Sequence, residues 1–141
     1  MSDIVDIRKP LDILKNALLD SCPSSHLNVL EKWFVSLDQR LLVAQNDVTN
    51  IAYLKSECAK EINKEIQSRR DVREISNIVS AYSYAIYELK KMSGVGYADL
   101  APDWATAFYD SAKGSSDEEI QVLWGKILAG EIAHQIGRAH V

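Results

Sequence analysis

The chain is short of what builds loops, cross-links and reaction centres. Its 141 residues include six glycines, three prolines, two cysteines and three histidines. So few turn formers disfavour a loop-rich all-β fold. Cys22 and Cys58 lack the C-x-x-C spacing of a metal or redox pair, so a reduced pair in the cytoplasm is expected. No run approaches the ~20 apolar residues of a membrane span. The N-terminal stretch, Met1 to Pro10, is acidic before it is basic and has no long apolar core, so it is not a secretory signal. Positive charge is scarce too. Sixteen Lys and Arg stand against 20 Asp and Glu, a net of −4, without the basic footprint of a nucleic-acid binder. There is no H-E-x-x-H and no G-x-x-x-x-G-K-[ST]. Gly94-Val95-Gly96 is a fragment of a glycine-rich pattern that follows a helix instead of a strand. His26 is read as a residue of a helix's first turn, and His134 and His140 fall in no ligand spacing. Helix capping accounts for Asp117, Glu118 and Glu119 without a cation. No catalytic residue, metal or cofactor is assigned, and whether the chain is an enzyme stays open.

What is present is helical pattern. Apolar residues make up 47% of the chain, enough for the core of one domain. Pro10 suits a first helical turn, and Leu11, Leu14, Ala17 and Leu18 form a stripe behind it. Cys22-Pro23 ends that helix and offers Ser24 or Ser25 as the next cap. From His26 to Ser93 there is no Gly or Pro, which demands mostly helix. Leu27, Leu30, Phe34, Leu37, Leu41, Ala44, Val48 and Ile51 follow at steps of three and four, a heptad-like seam. Val72, Ile75, Val79, Tyr82, Ile86 and Leu89 make a second. An unbroken helix from Leu27 to Ile66 would be about 60 Å long, so a break is expected near 46–50 and a turn near 68–72. The two seams are expected to pair as an antiparallel hairpin turning near Arg69-Arg70-Asp71. The charges between Lys60 and Glu74 read as a solvated face.

Gly94 terminates the second seam, and 94–102 is expected to be loop. Asp103 should cap a short helix carrying Trp104, Ala105, Phe108 and Ala112. Ser116 and Glu119 have capping-box spacing. Behind them Ile120, Leu123, Trp124, Ile127 and Leu128 fall on one stripe. Trp104, Phe108, Leu123, Trp124, Ile127 and Leu128 are therefore expected to cluster as structural or interaction residues. Gly125 inside a helix costs about 1 kcal/mol relative to Ala. Either it is tolerated at an exposed site, or Gly125 and Ala129, four apart, let another helix come close.

Asp103-Trp104, Phe108 and the run Ser116-Asp-Glu-Glu-Ile-Gln-Val-Leu-Trp-Gly-Lys-Ile-Leu-Ala-Gly-Glu131 resemble a bacterial family, domain of unknown function 2806, over about residues 100–132. The resemblance implies a helical, cytosolic bacterial protein and transfers no catalytic residue. It also implies a Pro-Gly-Ser type turn and further helices after Glu131. This chain departs from that pattern at Gln135. Residues 136–141, Ile-Gly-Arg-Ala-His-Val, match codon by codon one frame of a common sequencing-library adapter and are read as a non-native tail. The expectation is an all-α protein of five or six helices, with coiled-coil-like character. It has an N-terminal helical region, 1–93, and a C-terminal helical pair, 103–134, cut short by the tail. The expected function is a module that self-associates as a homo-oligomer or binds another protein, with no nucleic acid and no membrane span. The alternative is the N-terminal part of an enzyme or effector whose active site lies in the missing C-terminal segment.

Overall fold

The computed structural model describes residues 6–43 and 50–135. In chain order come α1 (Arg8–Ser21), α2 (Ser24–Val43), α3 (Ile51–Glu65), α4 (Arg69–Lys91), β1 (Val95–Tyr97), α5 (Pro102–Ala112), α6 (Glu118–Ile132) and β2 (Ala133–Gln135). The fold is all-α: six helices and one two-stranded ribbon among the described residues.

The helix starts follow short polar side chains. Asn50 caps α3 by accepting from Tyr53 N–H, and its extended backbone means that α3 begins afresh there. The break expected near 46–50 falls largely on residues 44–49, which lie outside the described residues, as do Ala44 and Val48 of the first seam. The second turn runs through Ile66, Gln67 and Ser68, just ahead of the expected place. The Ser68 hydroxyl accepts from Asp71 N–H, so Arg69, Arg70 and Asp71 form the first turn of α4 instead of the bend itself. Two other caps also differ from expectation. Ala101 precedes α5 and Pro102 takes its first position, which leaves Asp103 inside the first turn. Asp117 caps α6 through Glu119 N–H, and Ser116 instead accepts from the Asn77 side chain. A tertiary contact has claimed the hydroxyl that the capping box would have used.

Helix α4 is the axis of the molecule. It packs most extensively on α6, then on α3. The expected hairpin between the two seams is not the arrangement found: α2 lies chiefly on α3 and α1 and touches α4 only lightly. The first seam is also the wrong width. Helix α2 buries His26, Val29, Leu30, Trp33, Phe34 and Leu37, while Leu27 is 39% exposed. That is the broad stripe of a globular helix, which must meet two neighbours, and not a two-residue coiled-coil seam.

The segment expected to be entirely loop holds β1, antiparallel to β2, with Val95 opposite Gln135, Gly96 opposite His134 and Tyr97 opposite Ala133. Gly94 turns the chain into β1 at φ 68°, a left-handed conformation glycine adopts without strain. Strands of three residues, one of them with a central glycine, carry no alternation to read. One buried cluster runs from Ile7 to Ile132 and joins all six helices.

Candidate functional site

Three neighbourhoods of the fold are candidates for a functional site. The first is built by helix starts. His26 sits in the first turn of α2, Asp71 and Glu74 in the first turns of α4, and Tyr109 on α5. His26 and Tyr109 are fully buried, whereas the side chains of Asp71 and Glu74 keep 16% and 20% exposure. The Tyr109 hydroxyl lies 2.6 Å from His26 Nδ1. On the other side of the ring, Nε2 is 3.2 Å from Asp71 Oδ1 and 3.5 Å from Glu74 Oε1. One ring nitrogen and two carboxylate oxygens thus lie within 4.8 Å of one another. Burial, reinforced by Cys22, Tyr82, Glu74 and Asp110, raises the Tyr109 phenol, so it stays protonated. With a proton on Nε2, the neutral ring donates to Asp71 and accepts from Tyr109. With the proton on Nδ1, it donates to the Tyr109 oxygen and its Nε2 lone pair faces the two carboxylates.

The second neighbourhood is the crossing of α4 and α6. A Cβ on Gly125 would lie 2.4 Å from Tyr84 Cβ and 2.9 Å from Ala85 N, so the two backbones are in contact at a place only glycine permits. Beside it, Asn77 donates to Lys113 O (2.8 Å) and Ser116 Oγ (3.1 Å). Gln121 donates to Asn77 Oδ1 (3.2 Å) and Ser115 O (2.9 Å). The third is an apolar groove of about 580 Å³ between α3 and α4, with Cys58, Ile62 and Val79 in its wall. Burial pushes the Cys58 thiol up to about 12, far from the thiolate a nucleophile needs.

The expected C-terminal cluster is only partly assembled. Trp104 stacks on Phe108 at 5.4 Å and 12°, and Trp124 meets Phe108 edge-on at 5.4 Å and 86°. The Trp124 indole donates to Ser115 Oγ at 3.0 Å. Gly125, Leu128 and Ala129 are buried. Leu123 and Ile127 do not join: they are 54% and 49% exposed, and Ile120 is 41% exposed. The cause is the glycine. Seating Gly125 on α4 centres the inner face on Gln121, Gly125, Leu128, Ala129 and Ile132, which turns Ile120, Leu123 and Ile127 outward.

Sequence reasoning passed over His26, Asp71, Glu74 and Tyr109 as a group. The available signal was that His26 falls three and four residues before Val29 and Leu30, on the buried face of its helix. The contact with Asp71 and Tyr109, 45 and 83 residues away, left no local mark.

Fold and sites together define a compact helical bundle strung on a central helix, with a buried histidine cluster at one place and an uncovered aliphatic face at another. The chain belongs to the family described as Protein of unknown function (DUF2806), whose model matches residues 40–136. The match reaches well upstream of the segment that carried the resemblance and takes in α3, α4, α5 and α6. No curated protein and no solved structure matches it. No helix among the described residues is long and apolar enough to cross a membrane.

Proposed function

We propose that the chain is a helical interaction module that self-associates through the outer face of α6. The observation that supports this reading is the row Ile120, Leu123 and Ile127, at i, i+3 and i+7 and each about half exposed. Covering such a row removes apolar surface from water at about 25 cal/mol per Å². Its flanks suit a two-fold partner. With two copies of α6 antiparallel about Leu123, Glu118 and Glu119 of one approach Lys126 of the other, and the helix dipoles oppose. The module works in the cytoplasm, where a reducing compartment keeps the free thiols of Cys22 and Cys58 as they are.

Sedimentation of the chain over a range of concentrations tests the reading. The expected result is a reversible dimer that Leu123→Glu disperses. A monomer at high micromolar concentration would refute self-association and leave the face to a different protein.

A further inference from the structure

We propose that His26, Asp71 and Glu74 form a binding site for a first-row divalent cation, held by one imidazole nitrogen and two carboxylates. The spacing is the first support. Nε2 lies 3.2 Å from Asp71 Oδ1 and 3.5 Å from Glu74 Oε1. Charge-assisted hydrogen bonds of this kind are ordinarily about 2.7–2.9 Å. Ligands about 2.0–2.1 Å from a tetrahedral cation stand about 3.3 Å from one another. Both nitrogen–oxygen separations are therefore those of ligands on one cation, and the three atoms lie within 4.8 Å of one another. One Nε2–H also cannot point at both carboxylates, whereas a cation between them serves all three.

The far side of the ring is the second support. The hydroxyl of Tyr109, a fully buried residue, sits 2.6 Å from Nδ1. A metal-bound histidine usually donates its other N–H to a fixed oxygen, which sets the tautomer and aims the lone pair. Tyr109 provides that oxygen, and the tautomer it accepts from is the one whose Nε2 is free to ligate.

Charge and access agree. Asp71 and Glu74, three apart on α4, share a face, and their two negative charges match a divalent ion. Among the described residues neither forms an ion pair with a lysine or arginine, and both carboxylates face the His26 ring. Asp71 receives its cap bond through its backbone N–H, so its carboxylate is not engaged in capping. The partial exposure of both carboxylates leaves room for water to complete the coordination, while His26 anchors the ion to the core. A nitrogen-and-oxygen set of this kind suits zinc or manganese(II) better than a thiolate-seeking ion. Binding would fasten the starts of α2 and α4 to each other and, through Tyr109, to α5.

The test is calorimetric titration of the chelator-treated full chain with zinc chloride and, separately, manganese chloride. Nitrogen-15 NMR of the His26 ring under zinc accompanies it. The expected result is one cation per chain, loss of the Nε2 proton with retention of Nδ1–H, and a rise in melting temperature. Asp71→Asn with Glu74→Gln, both partly exposed, should weaken binding by at least ~10-fold with the circular dichroism unchanged. His134→Ala with His140→Ala should leave the affinity as it was. His26→Gln is a second variant, read only if it folds. The proposal is overturned by an absence of saturable binding up to millimolar cation. An unchanged affinity in the carboxylate variant, or a His26 ring that keeps its Nε2 proton at saturation, would overturn it equally. That last result would identify the cluster as a buried ion pair.

Discussion

Two contacts hold the middle of the molecule, and they are made of opposite materials. Where α2 meets α3, an indole fills the gap: Trp33 is fully buried, lies edge-on to Phe34 at 4.9 Å, and donates to Leu54 O at 3.0 Å. Leu54, Cys58 and Ile62 complete the α3 side. Where α4 meets α6, there is almost no side chain to fill anything. Gly125 stands on the Tyr84–Ala85 backbone, Ala129 follows one turn later, and Asn77 and Gln121 add hydrogen bonds. The first contact draws its stability from the apolar volume it removes from water. The second draws on close approach, where dispersion between many atoms in van der Waals contact accumulates and any added atom has nowhere to go. Deletion should therefore injure the first contact, and addition the second.

Trp33→Ala is the deletion with the largest expected effect. It should cost about 3–5 kcal/mol in denaturant unfolding. A loss no larger than that of a surface residue would mean that α2 and α3 are held by something other than the indole.

Gly125→Ala is the matching addition. In an ordinary helix the change would gain about 1 kcal/mol of propensity. Here the new methyl overlaps backbone, and overpacking of about 1–3 kcal/mol offsets the gain, for a net loss of up to about 2 kcal/mol. Gly130 is the internal control, because a Cβ there meets nothing within 4 Å. Gly130→Ala should be neutral or stabilising by up to about 1 kcal/mol. The same sign at both glycines would remove the close crossing from the account of this fold.

Asn77→Ala tests the polar part of the same crossing. It strips bonds from Lys113 O, Ser116 Oγ and Gln121 Nε2. Some of these groups regain water at the edge, so the expected cost is about 1 kcal/mol by thermal unfolding. A gain in stability would show that the node is a burden the crossing tolerates.

The same contrast explains what could be read in advance. Helices announce themselves by capping residues and by the lack of Gly and Pro, and so the all-α class and the long helices through residue 91 were legible. The inner face of α2 was nearly so, because Leu30, Phe34 and Leu37 are both apolar and buried. Val29 and Trp33, also buried, fall outside that seam because a two-residue coiled-coil pattern is narrower than a globular face. The inner face of α6 was not legible. A buried Gln, Gly and Ala carry no hydrophobic signal, and of the Leu and Ile that do carry it only Leu128 and Ile132 face inward while Ile120, Leu123 and Ile127 point away. Close packing against a backbone inverts the usual rule, and only the oddity of a mid-helix glycine at 125 hinted at it. The histidine cluster was invisible for another reason: its members come from three helices and meet only when those helices are packed.

The smallest effect on stability is expected at the residues that looked most like core. Leu123→Ser with Ile127→Ser removes two large side chains from α6. Both are about half exposed, so only part of a core residue's burial is lost, and serine's weaker helix propensity accounts for a few tenths of a kcal/mol each. At dilute concentration, where the chain is a single copy, the unfolding free energy should change by about 1 kcal/mol or less. A loss several times larger would mean that α6 is rotated from its position here, with Leu123 and Ile127 inward and Gly125 outward, and the tight crossing would fall with it. The concentration dependence carries the second half of the argument. If these side chains meet a second copy, the unmodified chain becomes more stable as it is concentrated, because association binds only the folded form. The doubly substituted chain should lose that dependence while keeping its dilute stability. One pair of substitutions thus separates a residue that holds the fold from one that holds a partner.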